Sequence, residues 1–146
     1  LENLPTGTAV EKIKRGQDFK ISASKEFVND DTDTSERAID TKDMYSLSTI
    51  VGNLSTPDAF GLIASDINQD GVIDTKDMYA LSTIVGGLSS AGEWKFLEND
   101  ISKFGYINKQ NVTFIDAIET NSSNLTEPLE LVAILVGDVN GSFGGI

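Results

Sequence analysis

The sequence predicts an α+β fold in which a central pair of loop-and-helix repeats is joined to flanking β strands, the strands making a small sandwich-like part. The first observation is a duplication. Residues 38–54 (AIDTKDMYSLSTIVGNL) recur as residues 72–88 (VIDTKDMYALSTIVGGL), changed only at Ala38/Val72, Ser46/Ala80 and Asn53/Gly87, so one helical unit is present twice. The second is a period of two from Gln17 to Phe27, where Phe19, Ile21 and Ala23 share a side opposite mostly polar neighbours, as in a half-buried strand. The third is the run of strand-like segments Trp94 to Leu97, Asn111 to Ile115 and Leu129 to Val139, set apart by Asn, Ser and Gly turns.

In chain order, residues 1–28 read as β, and Asn29 to Glu36 (NDDTDTSE) is an acidic, hydroxyl-rich loop that cannot pack a core. Residues 29–92 hold the repeat pair, each copy a loop followed by a helix that ends at Gly52 or Gly86. Thr56-Pro57-Asp58 offers an N-cap hydroxyl, a proline at the first helical position and an early acid, so a short helix is expected to run to about Ser65. Residues 93–146 are a β-rich closing segment. Its longest apolar run, Leu131 to Gly137, is too short to span a bilayer and reads as a buried strand.

Composition narrows the chemistry. A chain of 146 residues with 39% apolar content has enough material for a core in one domain or two small ones. Its formal charge of −12 would repel a phosphate backbone and an anionic membrane surface, which argues against nucleic acid and membrane insertion. With no Cys and no His, disulfides, thiol nucleophiles, zinc and haem sites and the commonest general base are all missing. Hard cations that prefer oxygen remain. Leu1 is not an initiator methionine, and the chain is read as a piece of a larger protein.

The stretch DINQDGVIDTKD, Asp66 to Asp77, matches such a cation. Calcium takes about six to eight oxygen ligands, and an EF-hand-type loop of about 12 residues supplies them from its first, third, fifth, seventh, ninth and twelfth positions. Asp66, Asn68, Asp70, the Val72 carbonyl, Asp74 and Asp77 fall there in order. Gly71 stands at the sixth, where the chain turns sharply, and Ile73 at the eighth can pair two loops through a short β bridge. The competing reading is an acidic Asx turn that only caps the helix beginning at Thr75. Asp77 replaces the bidentate Glu of the sensor type of EF-hand.

DINQDGVIDTKDMYALSTIVGGL resembles the duplicated calcium-loop-plus-helix segment of type I dockerins, the modules by which secreted bacterial enzymes dock onto cohesins. The chain is also similar to a wider arrangement in bacterial surface proteins, where such a repeat pair is followed by a Trp-x-Phe strand, here Trp94-Lys95-Phe96, and closes with GDVNGS, here Gly137 to Ser142. The resemblance implies a secreted or surface-exposed bacterial module, non-catalytic and calcium-binding, with a cohesin-like partner. The alternative is a calcium-stiffened spacer of an adhesin or large hydrolase, whose repeat pair packs only against neighbouring modules of its own chain.

The first copy departs from the pattern. In register its loop is TDTSERAIDTKD, with Thr32, Thr34 and Glu36 in the leading ligand places and Arg37 in that of glycine, although Asp40 and Asp43 are kept. One inserted residue would let Asp31, Asp33, Ser35 or Glu36, Asp40 and Asp43 encircle an ion; otherwise the loop is a metal-free packing partner. Asp138, Asn140 and Ser142 look like the opening half of a calcium loop, so the chain end and the first repeat would complete one site if they met, or GDVNGS is only a tight turn.

Laid on a helix, Met78, Leu81, Ile84, Val85 and Leu88 gather on a core side, and Thr75, Lys76, Tyr79, Ser82, Thr83 and Gly86 on the other. The first copy repeats the outer set as Thr41, Lys42, Tyr45, Ser48, Thr49 and Gly52. The resemblance implies cohesin contacts at Thr75, Lys76, Ser82 and Thr83 and at Thr41, Lys42, Ser48 and Thr49, either helix being able to face one partner. An exposed tyrosine between them is the kind of residue that anchors an interface; the alternative is that Tyr45 and Tyr79 cover the flanking β structure. Asp116 with Glu119 reads as a solvated turn rather than an acid–base pair, and Trp94 as core rather than a sugar platform.

Overall fold

The computed structural model describes residues 16–24, 38–89, 93–121, 123 and 129–142. Strand β1 (Asp18–Ile21) is followed by helices α1 (Thr41–Val51), α2 (Ala59–Ser65) and α3 (Thr75–Val85), strand β2 (Trp94–Glu98), a 3-10 turn (Ile101–Phe104) and strands β3 (Ile118–Asn121) and β4 (Leu131–Leu135). The chain is α+β. In place of a sandwich, the described strands form two separate antiparallel ribbons, β1 with β3 and β2 with β4.

The duplicated sequence folds into duplicated local structure for the same reasons in both copies. Asp40 and Asp74 cap α1 and α3, accepting the Lys42 and Lys76 N–H groups at 2.8 and 2.7 Å. Asp43 and Asp77 reach back to the Asp40 and Asp74 N–H groups, both at 2.9 Å, which completes a capping box built from two aspartates. At the other end Gly52 and Gly86 keep negative φ, and the left-handed residue is the next one, Asn53 (φ 60) or Gly87 (φ 74). Leu54 and Leu88 then bond back to the Thr49 and Thr83 carbonyls at 2.7 and 2.8 Å, the longer bond of a Schellman cap. The Asn/Gly difference between copies therefore sits at a position both residue types tolerate.

Helix α2 starts two residues later than Thr56-Pro57-Asp58 suggests. Asp58 is the N-cap and accepts the Gly61 N–H at 2.9 Å, because a carboxylate satisfies the free N–H groups of a first turn better than a hydroxyl does. One hydrophobic core runs through the three helices, the loops between them and the β2–β4 ribbon, from Ile39, Leu47 and Ile63 through Ile73 and Leu81 to Leu97 and Leu135. Helix α1 packs on α3, and α2 on β4 and the 3-10 turn, with the Phe60 and Phe104 rings 5.7 Å apart.

Some expected elements differ. Asn111 makes a single bridge with Asn108, and residues 112–115 are not a strand. Leu88, placed by helical phase on the core side, is 85% exposed, since the helix has ended three residues earlier and its angular count no longer applies. Leu131 is exposed and only the later part of its run is buried. Trp94 is buried and stacks on Phe96 at 6.4 Å. Asp116 accepts the Phe96 N–H at 3.0 Å and lies 3.8 Å from Lys95, so it bonds the side of β2 that faces away from β4. Among the described residues no helix is long and apolar enough to cross a membrane.

Candidate metal centre

Between α2 and α3 the chain winds tightly around Asp66. Its Oδ2 accepts the Gly71 N–H at 3.0 Å, and Gly71 holds φ +88, a conformation that costs a side-chain-bearing residue steric strain. Asn68 Oδ1 accepts the Asp70 N–H at 3.0 Å, and Asp70 Oδ1 the Val72 N–H at 3.0 Å. Asp77, fully buried, accepts the Asn68 N–H at 3.2 Å and the Asp74 N–H at 2.9 Å. The loop from Asp66 to Asp77 is thereby drawn into a ring whose oxygens belong to the residue types expected from the sequence.

Two features bear on whether the residues fit calcium. Asp66 is 4% exposed and its Oδ1 has no hydrogen-bond partner among the described residues, an arrangement that costs stability unless a ligand satisfies the oxygen. Among the described residues the basic side chain nearest this loop's carboxylates in an ion pair is Lys76, whose Nζ lies 4.0 Å from Asp70 on the exposed side. Among the described residues, too, no group of three or more acidic side chains is drawn together closely enough to hold an ion as it stands. The donor set is mixed, with Asn68 and the Val72 carbonyl among the carboxylates, which suits a hard cation of high coordination number.

At the first repeat, residues 138–142 come against Asp43. Asn140 donates its N–H to Asp43 Oδ1 at 3.0 Å, the counterpart of Asn68 donating to Asp77. Ser142 N–H bonds Asn140 Oδ1 at 2.8 Å and Gly141 N–H the Asp138 carbonyl at 3.2 Å, as Asp70 bonds Asn68 and Gln69 bonds Asp66 in the contiguous loop. Even the left-handed residue recurs, Gly141 at φ 68 against Gln69 at φ 59. Asp138 is 6% exposed and Asp43 fully buried. Gly137 makes the approach possible: its N–H bonds the Ala64 carbonyl at 2.8 Å, its φ is +104, and a Cβ there would stand 2.8 Å from Ile39 Cδ1. Residues 138–142 thus repeat the backbone turn that opens the Asp66–Asp77 loop and meet the first repeat at Asp43. Asp31 and Asp33, with Ser35 and Glu36, lie outside the described residues.

Among the described residues Ile73 bonds a third segment rather than the other loop. Its N–H bonds the Lys109 carbonyl at 2.8 Å, and the Val112 N–H bonds the Gly71 carbonyl at 2.8 Å, so the turn at residues 108–111 takes the place of the other loop. Sequence reasoning passed over this turn, since a lone Lys among Asn and Gln carries no pattern. On the outer surface Thr41, Lys42, Thr75 and Lys76 are exposed, Ser48, Thr49, Ser82 and Thr83 are half-buried, and Tyr45 and Tyr79 are 73% and 74% exposed. The tyrosines therefore do not cover the β ribbons. Ser48 and Ser82 hydroxyls donate to the Tyr45 and Tyr79 carbonyls, both at 2.6 Å.

Burial pushes the Asp66 carboxyl up to about 6, with the charges of Asp77 and Asp70 adding to it against the Gly71 hydrogen bond. Burial likewise raises Asp43 to about 6, opposed by the Asn140 and Asp40 N–H groups and assisted by the charge of Asp138; Asp77 is raised for the same main reason. A carboxyl whose folded value lies above its unfolded value of about 4 binds its proton more tightly when folded, so stability falls as pH rises through that interval. In chelator the melting temperature is expected to rise when the pH is lowered from about 7.5 to 5, above the range in which Glu93 and Asp100, both held low by hydrogen bonds, titrate. In calcium the trend should reverse, because the ion and the protons compete for the same oxygens. A melting temperature in chelator that falls over this range would contradict the assignment.

Compared with protein-family models, with curated proteins and with solved structures, the chain matches none.

Proposed function

We propose that this chain is a non-catalytic, calcium-ordered attachment module of dockerin-like type. It takes calcium in the Asp66–Asp77 loop and at the joint of Asp138, Asn140 and Ser142 with Asp40 and Asp43, and it docks a cohesin-like domain through the outer faces of α1 and α3. The observation that carries the calcium reading is the buried, unpartnered Asp66 Oδ1 inside a loop whose ligand-type residues hold EF-hand spacing. The reading goes with a secreted or surface-exposed bacterial setting, where calcium near millimolar levels would suit even the weaker class of site.

Docking is supported by the two exposed tyrosines, which stand at equivalent places on equivalent helices. Large aromatic side chains left in water are commonly the anchors of interfaces. If either helix can serve, Tyr45→Ala or Tyr79→Ala alone should weaken binding to a cohesin-like domain by no more than about threefold, and the double variant should abolish it.

A second reading, a calcium-stiffened spacer without such a partner, is favoured by the way the chain end and the 108–111 turn occupy the inner sides of both repeats. Pull-down against the cohesin-like domains of the host separates the two. Capture that survives the double tyrosine variant removes the docking face. No capture at all, with calcium still raising the thermal stability of the parent and of both tyrosine variants, selects the spacer.

A further inference from the structure

The last turn of α1 contains no basic residue, although the carbonyls ending a helix attract cations. Lys109 supplies one from elsewhere in the chain: its Nζ donates to the Val51 carbonyl at 2.6 Å and to Asn53 Oδ1 at 3.0 Å. The backbone of the same residue accepts the Ile73 N–H of the Asp66–Asp77 loop, and Val112 closes the other side of that contact on Gly71. Ile107 and Val112 are buried, Asn111 N–H bonds the Asn108 carbonyl at 2.9 Å, and Gln110 N–H bonds Asn108 Oδ1 at 2.9 Å. The turn is therefore anchored at its base, internally tied, and fixed at one end to the loop and at the other to α1.

We propose that this turn is a strut through which calcium in the Asp66–Asp77 loop tightens the C-terminal end of α1, with Lys109 as the positioning residue. The inference rests on the calcium reading and deepens it, because that helix end carries Thr49, a residue of the proposed docking face. The Thr49 carbonyl accepts the Leu54 and Ser55 N–H groups at 2.7 and 3.2 Å, and the Thr49 hydroxyl lies 2.8 Å from that of Ser55. An ion bound by one repeat would thus condition the surface of the other. Two sites joined by a stiff element are coupled when both bias its position, and the coupling is reciprocal.

Amide hydrogen exchange tests this in an Asp138→Asn background, where only the contiguous loop retains its full ligand set. Calcium is expected to slow exchange at Ile73, and to slow it at Gly52, Asn53 and Leu54 by at least about fivefold, the lower end of ordinary coupling. Adding Lys109→Met should keep the effect at Ile73 and reduce that at the α1 end to less than about twofold, while Lys109→Arg restores part of it. A merely structural lysine would lower protection at the α1 end equally with and without calcium. Calcium-induced slowing at the α1 end that is the same with and without the Lys109→Met change, or that is absent while Lys109 is in place, would overturn the strut alone. No slowing at Ile73 itself would overturn the calcium reading along with it.

Discussion

Excess chelator is expected to lower the melting temperature by about 5–10 °C relative to the protein in millimolar calcium, and to reduce helicity with it. A ligand present at about a hundred times its dissociation constant stabilises the folded state by about 2.7 kcal/mol, and a chain of this size moves roughly 2–4 °C per kcal/mol. The helices are affected because Asp74 and Asp77, which cap α3, are also loop ligands in the proposed site, and Asp40 and Asp43 stand in the same relation to α1. Metal binding and ordering of the first turn of each helix are then one event. The stabilisation should keep growing with free calcium. A melting curve that is the same in chelator and in calcium, with Asp66→Ala equally silent, would rule this out.

Asp66→Asn is expected to act in opposite directions with and without calcium. An asparagine keeps a side-chain oxygen for the Gly71 N–H and removes a charge that burial and two neighbouring carboxylates make unfavourable. Each pKa unit is worth about 1.4 kcal/mol, so in chelator at neutral pH the variant should be more stable than the parent by about 1–3 kcal/mol. In calcium it should be the less stable of the two, having lost a leading ligand. Melting in both buffers shows whether the order reverses. Asp43 allows no equally clean substitution, because both of its oxygens accept a backbone N–H and an amide nitrogen would face one of them. An Asp66→Asn protein that is destabilised in chelator would mean that the charge there is stabilising as it stands.

What could be read from the sequence divides according to how local the physics is. The limits of α1 and α3 were legible because capping aspartates and terminal glycines act within one turn of the residues that carry them. The turn of residues 66–77 was legible because the Asp and Asn side chains that bond its backbone, and the glycine that turns it, lie in one uninterrupted stretch. The other loop was visible only as two incomplete halves, Asp138 to Ser142 and Asp40 to Asp43. Nothing local states that these two stretches meet; their approach depends on Gly137 fitting against Ile39 and Ala64. The acceptor of the Ile73 N–H was hidden for a related reason. The duplication suggested the other loop, whereas the N–H bonds the turn carrying Lys109, which is anchored by burial of Ile107 and Val112. The alternation in Asn111 to Ile115 resembled a strand, yet its residues serve one bridge and one bond to Gly71 and have no neighbouring strand among the described residues to extend them.

In the proposed function the chain holds calcium at two loops, one continuous and one assembled from residues 138–142 with Asp40 and Asp43. Isothermal titration of calcium into the chelator-stripped protein measures this most directly, with the parent compared against Asp66→Asn and Asp138→Asn. Two sites are expected in the parent, one in each single variant and none in the double. An absence of binding heat in the parent would contradict the claim altogether, and a site count unaltered by Asp138→Asn would contradict the assembled loop.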